Sequence, residues 1–321
     1  MSSDQLLLTG ASGFIGSAVF KAAVLRGLIV RPVFRSPNSA RQFGSAENNS
    51  IIISGADVNT DWSAALAGVD VVVHCAARAH VMDDTSSSES RSLLQSINVD
   101  GTLNLARQAA QVGVRRFVFL SSIGVNGMET FGKPFTAHDA AAPHSPYAVS
   151  KHEAEVKLRL LASQTGLELV IVRPPLVYGP SAPGNFGSLM RWLGRGWPLP
   201  LGAVTKNRRS LVGLDNLVDL IMTCVDHPRA ANQTFLVSDG DDLSTTELLS
   251  RMGWAMNRPA CLVPIPATLM FLVASILGKK YVAQSLLGSL QVDISKTFEL
   301  LGWKPLVSVN EGLRRAAQEG L

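Results

Sequence analysis

Two short patterns carry the chemistry of this chain. Thr9-Gly10-Ala11-Ser12-Gly13-Phe14-Ile15-Gly16 stands near its start, and Tyr147-x-x-x-Lys151 near its middle. The glycines let the backbone turn tightly and let a pyrophosphate come close. The helix that follows offers free N–H groups and a partial positive charge. Their spacing is G-x-x-G-x-x-G rather than G-x-G-x-x-G, so the turn alone defines a dinucleotide site and nothing finer. Tyr147 and Lys151 fall one helical turn apart on one face. A lysine beside a phenol stabilises the phenolate and lowers the tyrosine pKa, so the phenol can take or give a hydroxyl proton. Ser122, closing the run Phe117-Val-Phe-Leu-Ser121-Ser122, can bond the same oxygen and hold it. Together these residues define hydride transfer at a carbon bearing a hydroxyl or a ketone.

The elements that must position them alternate. Apolar, β-rich runs read as strands at Leu6–Thr9, Val30–Arg35, Ile51–Ser54, Val69–Cys75, Phe117–Ser121 and Leu169–Arg173. Helical patterns read at about 14–26, 91–112 and 146–165, with Pro146 at a helix start and a polar loop at Asp83–Ser90. Strand and helix in alternation imply an α/β fold, a Rossmann-type doubly wound parallel sheet whose ligands bind at the C-terminal strand edge. After Arg173-Pro174-Pro175 the rhythm changes and Pro and Gly become frequent, as in loops that shape a pocket. Ser244-Thr-Thr-Glu247 is a capping box that opens another helix. The expected division is a dinucleotide-binding domain over 1–174, with 211–238 returning to it, and a smaller, mostly helical C-terminal substrate lobe over 175–210 and 239–321.

At 321 residues, 46% hydrophobic and 17% charged, the chain is long enough for two lobes around a large core. Its net charge of +4 is mild, and the basic cluster Lys206, Arg208 and Arg209 suits a phosphate-bearing small molecule rather than nucleic acid. Cys75, Cys224 and Cys261 lie far apart in or beside apolar segments and read as reduced core thiols. No metal set is expected among the histidines; His74 and His80 flank the cofactor segment, and His80 is a candidate substrate contact. The N-terminus lacks a basic region and a long apolar stretch, so a cytoplasmic location is expected. The most apolar segment, Ala267 to Leu277, is too short to span a bilayer. It reads as a buried helix rather than an exposed contact for a membrane or partner.

The end of the second strand bears on the cofactor. A carboxylate there would accept bonds from the ribose 2′-OH of NAD. Val30-Arg-Pro-Val-Phe-Arg35-Ser36 has none. Arg35 and Ser36, helped by Arg41, are candidates to hold a 2′-phosphate, since a guanidinium binds a phosphate in a forked pair. The cofactor is therefore NADP(H) or NAD(H), with strict NAD selectivity unexpected. Asp57, just past the third strand, is placed to bond the adenine amino group.

These residues resemble the extended short-chain dehydrogenase/reductases that act on nucleotide sugars, over nearly the whole chain. The motifs that carry the resemblance are the glycine turn, His74-Cys-Ala-Ala77, Asn98-Val-Asp-Gly-Thr102, Ser121-Ser122, Tyr147-x3-Lys151, Arg173-Pro-Pro-Leu-Val-Tyr-Gly179 and Leu301-Gly-Trp303. The resemblance implies Tyr147 as acid/base, Lys151 as the residue orienting the cofactor ribose, Ser122 as the one holding the reacting oxygen, and Asn98 as support for the proton relay. It implies further cofactor contacts from Ser12, Phe14, Ile15, Val58, Ala76, Ala77, Ser121 and Pro174. In the substrate lobe it implies Asn185 as the cap of a helix facing the pyrophosphate and Arg209 as a phosphate-binding arginine. A UDP-sugar substrate and a homodimer follow from the same resemblance.

Departures from the family pattern narrow the reaction. Sugar 4,6-dehydratases of this family carry Thr-Asp-Glu at the end of the fifth strand, where this chain has Ser122-Ile123-Gly124. That leaves C4 epimerisation, with a tightly held NAD, or one-way reduction of a 4-keto sugar by exchangeable NAD(P)H. Val125-Asn126-Gly127 stands where epimerases often have Val-Tyr-Gly, and the acid after the second strand is missing. On these grounds the expected activity is reduction of the 4-keto group of a UDP-linked, N-acetylated 6-deoxyhexose for surface polysaccharide such as O-antigen. The alternative is an NAD-dependent UDP-hexose 4-epimerase. A non-catalytic cofactor sensor would lack the Tyr/Lys pair or the serine. A ketoreductase of neutral polycyclic substrates would not need Asn185 and Arg209.

Overall fold

The computed structural model describes residues 4–43, 49–78 and 88–319. Its strands are β1 (Gln5–Thr9), β2 (Ile29–Phe34), β3 (Ile51–Ile52), β4 (Val71–His74), β5 (Arg116–Leu120), β6 (Glu168–Arg173), β7 (Leu176–Tyr178), β8 (Leu211–Gly213) and β9 (Gln233–Leu236). Seven of them form one sheet in the order β3-β2-β1-β4-β5-β6-β9, while β7 and β8 pair separately. Every pairing is parallel. The order reverses between β1 and β4, and such a switch point opens a crevice at the carboxyl ends of the strands.

The helices in the first part of the chain are α1 (Phe14–Leu25), α2 (Pro37–Gln42), α3 (Ser63–Leu66), α4 (Ser88–Leu94), α5 (Thr102–Gln111) and α6 (Pro146–Gln164). Beyond β6 come α7 (Gly184–Gly194), α8 (Leu214–Asp226), α9 (Thr245–Ala255), α10 (Ala267–Ile276), α11 (Lys280–Leu287), α12 (Ser295–Leu301) and α13 (Val309–Glu319). The helix expected over 91–112 starts at Ser88, and a π-helical stretch, Gln95–Gly101, joins α4 to α5. Ser88 to Ser90, expected in a polar loop, are thus helical.

Alternation places successive strand residues on opposite faces. Leu6, Leu8, Val71, Val73, Val118 and Leu120 meet α1 and α8 in one core. Leu7, Val72, Phe117, Phe119 and Ile171 meet α5 and α6 in another. Both faces are covered, which is why these strands read as continuous apolar runs rather than alternating ones. A third core, with Tyr178, Phe186, Leu193, Leu249 and Leu313, sits under α7, α9 and α13. Buried polar bonds tie it to the sheet. Tyr178 donates its hydroxyl to Asp239 at 2.6 Å, and Asp239 also accepts from Gly213 N and Asn216 Nδ2. The capping box at Ser244 and Glu247 has both of its bonds.

Two expectations are corrected. Ala267 to Leu277 is not a buried helix: α10 has no buried residue. It packs on α11 and faces α7 across a groove, with no further element laid over its outer side among the described residues. Of the cysteines, Cys224 is buried and Cys75 partly so, but Cys261 is exposed and is no core thiol.

Candidate active site

The glycine turn joins β1 to α1 at the switch point. Gly10 has φ +72, the left-handed region that glycine tolerates. A Cβ there would lie 2.7 Å from Ala76 N, and one at Gly16 would lie 2.1 Å from Gly10 O. Backbone therefore packs on backbone, and no side chain caps the start of α1. The turn and the uncapped helix end, with Ser12, Gly13, Phe14 and Ile15 on its rim, fit a dinucleotide pyrophosphate. Ala76 N donates to Thr9 Oγ1, holding the β4 end against this turn, with Ala77 next along. His74 is structural: its ring bridges Thr9 Oγ1 at 2.8 Å and Thr102 Oγ1 at 3.0 Å. Burial, reinforced by the nearby Lys151 ammonium, pushes its imidazole down to about 3, so it stays neutral.

On the adenosine side, Arg35 is exposed just past β2. Ser36 caps α2, accepting from Ser39 N at 3.2 Å. Its hydroxyl is thereby engaged, and Arg35 remains the cationic candidate for a 2′-phosphate. Asp57 Oδ1 closes a turn onto Asn59 N at 2.9 Å, next to the exposed Val58.

The candidate reacting groups stand at the end of β5, in the π-helical stretch and on α6. Ser145 caps α6, accepting from Ala148 N, and sets Tyr147 in its first turn. Lys151 Nζ is 5.9 Å from the Tyr147 ring centroid. A Cβ added at Gly124 would lie 3.2 Å from Ala148 Cβ and 3.4 Å from Ser122 Oγ, so Gly124 sits close to both. Ser122 Oγ accepts from Gly124 N at 3.1 Å, which fixes its rotamer at the strand end. Asn98 lies buried inside the π-helical stretch. It accepts from Arg78 N at 2.8 Å and donates to Arg78 O and to Ser150 Oγ. Ser150 in turn donates to Tyr147 O. Asn98 thus braces the backbone of the tyrosine and the loop after β4 and makes no bond to Lys151.

Burial pushes the Tyr147 phenol up to about 12. Lys151 turns its ammonium to Leu120 O at 2.8 Å, against the Phe119 ring. Burial lowers that ammonium to about 8, against the raising influence of Cys75 and Glu155.

Beneath the pair lies a charge cluster that sequence reading missed. Glu155 and Arg173 are both buried and are paired through two bonds, Arg173 Nε to Glu155 Oε1 at 2.9 Å and its NH2 group to Oε2. Ser121 donates its hydroxyl to Glu155 at 2.5 Å, so its side chain faces into the protein. Arg173 also donates to Asn126 Oδ1, and Asn126 donates to Thr136 O. Pro174 is buried and accepts from Ile123 N. A signal was present: Tyr147, Lys151 and Glu155 repeat at four-residue intervals along one helix stripe.

At the substrate end, Asn185 is not the cap of α7. Pro183 holds the cap position with no side-chain bond, and Asn185 is the exposed second residue of the helix. Arg209 is half-buried between Leu243 and Leu290, and donates to Gly288 O at 3.0 Å. Burial draws its guanidinium down while the Glu129 carboxylate opposes that. Its sequence neighbour Arg208 turns outward to Glu247 at 3.3 Å, so the basic cluster divides. His80 lies outside the described residues.

Residues 6–238 match the model of the NAD dependent epimerase/dehydratase family. The chain belongs to that family, and with it come an enzymatic role and a nicotinamide dinucleotide, NAD(H) or NADP(H). A UDP-glucose 4-epimerase of Vibrio cholerae is 46% identical over 318 residues, covering 98% of this chain and 94% of that protein. The N-acetyl-alpha-D-glucosaminyl-diphospho-ditrans,octacis-undecaprenol 4-epimerase of Escherichia coli O157:H7 is 28% identical over 332 residues, 98% of this chain and 95% of that one. The crystal structure of UDP-glucuronic acid 4-epimerase from Bacillus cereus, in complex with NAD, has the same fold. Its TM-score is 0.78 at 20% identity, with 98% of each chain covered.

Proposed function

We propose that this chain is a UDP-hexose 4-epimerase, the alternative of the two activities its sequence left open. The observation that carries the reading is full-length identity of 46% to the Vibrio cholerae UDP-glucose 4-epimerase. The site retains what the chemistry needs. Bound NAD supplies removal and return of the hydride at C4. Tyr147 takes the C4 hydroxyl proton and gives it back, Ser122 holds the oxygen, and Lys151 keeps a positive charge beside both. Asn98 positions the tyrosine backbone, and Arg209 and Asn185 are assigned to the diphosphate. The division at 1–174 with 211–238, against 175–210 with 239–321, belongs to this proposal. So does a homodimer through α6, whose Val149, Val156 and Leu160 are exposed at helical spacing. The location assigned is the cytoplasm.

One of the two grounds for a 4-ketoreductase weakens. Asn126, in the Val-Asn-Gly departure, is buried and bonded to Arg173 and Thr136, so the change sits in the scaffold and not in front of substrate. The other ground, no carboxylate after β2, concerns cofactor choice rather than the fate of the hydride. The test is incubation with UDP-glucose or UDP-N-acetylglucosamine and no added reductant. Interconversion with the C4 epimer is expected. NADPH oxidation that needs a UDP-4-keto-6-deoxy sugar, without interconversion, would restore the reductase.

A further inference from the structure

The α10–α11 hairpin carries an apolar surface that nothing in the described chain covers. Leu272, Ile276 and Leu277 are 58%, 77% and 65% exposed. A groove of about 680 Å³ separates the hairpin from α7, with Leu189, Trp192, Leu269 and Val273 among its walls. Asn185, assigned above to the diphosphate, also lines it, so the docking face is the outer side of the hairpin, where Leu272 and Ile276 stand outside the groove lining. Trp192 meets Trp197 edge to face at 5.6 Å, and both are exposed. Continuous apolar surface of this kind, rimmed by polar groups, marks a contact rather than scatter.

The charge around this face has one sign. The chain has no Asp or Glu between Glu168 and Asp215, nor between Glu247 and Asp293. Arg191, Arg195, Arg258, Lys279 and Lys280 lie in those stretches and make no ion pair among the described residues. Glu129 accepts from Gln284 of α11, and Glu247 closes its capping box and pairs with Arg208. Helix α10 has ten residues, and no described helix is long and apolar enough to cross a membrane.

We propose that this face docks the protein on an anionic phospholipid bilayer. Leu272, Ile276 and Leu277 enter the headgroup–acyl boundary while Trp192 and Trp197 occupy the interface. Lys279, Lys280 and Arg195 meet the lipid phosphates. A second copy fits the face less well, because a two-fold contact would set these cations against themselves with no acid to answer them.

The test is sedimentation of the full-length protein with sucrose-loaded vesicles of phosphatidylglycerol and phosphatidylcholine, against phosphatidylcholine alone. Binding to the anionic vesicles is expected, weakening as salt rises. Leu272→Glu/Ile276→Glu should lower the bound fraction at least about tenfold. Arg195→Gln/Lys280→Gln should weaken the partition about fivefold per cation. Both variants should keep wild-type turnover of a soluble UDP-sugar and the wild-type sedimentation coefficient, showing that they fold. Wild-type protein left in the supernatant overturns the proposal, as does equal binding by the glutamate variant. Loss of an oligomer in that variant would assign the face to a second copy instead and overturn it too.

Discussion

The carboxyl edge of the sheet and the α10–α11 hairpin differ in where their partners lie. At the sheet edge nearly every polar group answers another within the chain: Ser121 to Glu155, Glu155 to Arg173, Arg173 to Asn126, Asn98 to Ser150. On the hairpin, Leu272, Ile276 and Leu277 face outward, and Lys280 meets the Phe271 ring of the hairpin itself rather than a carboxylate. A region that closes on itself shows what it does through its own geometry. A region left open shows its purpose only through what it would touch. The first should be intolerant of small changes and the second indifferent to large ones, unless a partner is present.

The largest expected effect is at the catalytic phenol. Tyr147→Phe should lower kcat by roughly 10³-fold, within the range for general acid–base groups, while dinucleotide content stays at the wild-type level. A loss under tenfold, measured by steady-state kinetics, would move the proton transfer to another group. Next comes the buried pair. Glu155→Ala leaves Arg173 uncompensated and should cost about 3–5 kcal/mol of stability, read from the denaturant midpoint. Near-zero cost would make the cluster dispensable.

Smaller effects follow from pH. Lys151 holds its charge only up to about 8 in the folded protein, against 10.5 in the unfolded chain. Turnover should therefore fall as pH rises through about 8. Above that pH the unfolded chain binds the extra proton, so the lysine's burial penalty is relieved and stability gains up to 10.5. His74 works on the acid side. Its folded value of about 3 lies below 6.5, so its contribution is lost as pH falls from 6.5 towards 3. A flat profile of turnover between pH 7 and 9 would contradict the Lys151 assignment. The smallest effect is on the open face: Ile276→Ser in solution should change stability by less than about 0.5 kcal/mol, by thermal melt. A larger loss would mean that the hairpin is part of the closed core after all.

The same contrast explains what the sequence made legible. Glycines, Tyr147 and Lys151 act through local spacing, so their elements were readable to within a residue or two. The apolar strands were readable because a sheet covered on both faces imposes unbroken hydrophobic runs. The orientation of Ser121 was not readable, since it depends on Glu155 from a helix 34 residues away. Nor was the lowering of Lys151 rather than Tyr147, because that rests on how deeply the two groups are enclosed. Hydrophobicity alone misplaced α10: a run of apolar residues has the same pattern whether it is buried or waiting for a surface. Asn126 misled in the opposite direction, a difference in sequence that the fold turns into a scaffold contact.

A 4-epimerase keeps its dinucleotide through a reaction that returns the hydride to the same carbon. The most direct test is the nucleotide content of freshly purified protein, by denaturation, chromatography and mass measurement, beside turnover of UDP-glucose without added cofactor. Close to one NAD per chain and interconversion of the C4 epimers are expected. An empty protein that turns over only with stoichiometric NADPH and a 4-keto sugar would contradict the 4-epimerase reading.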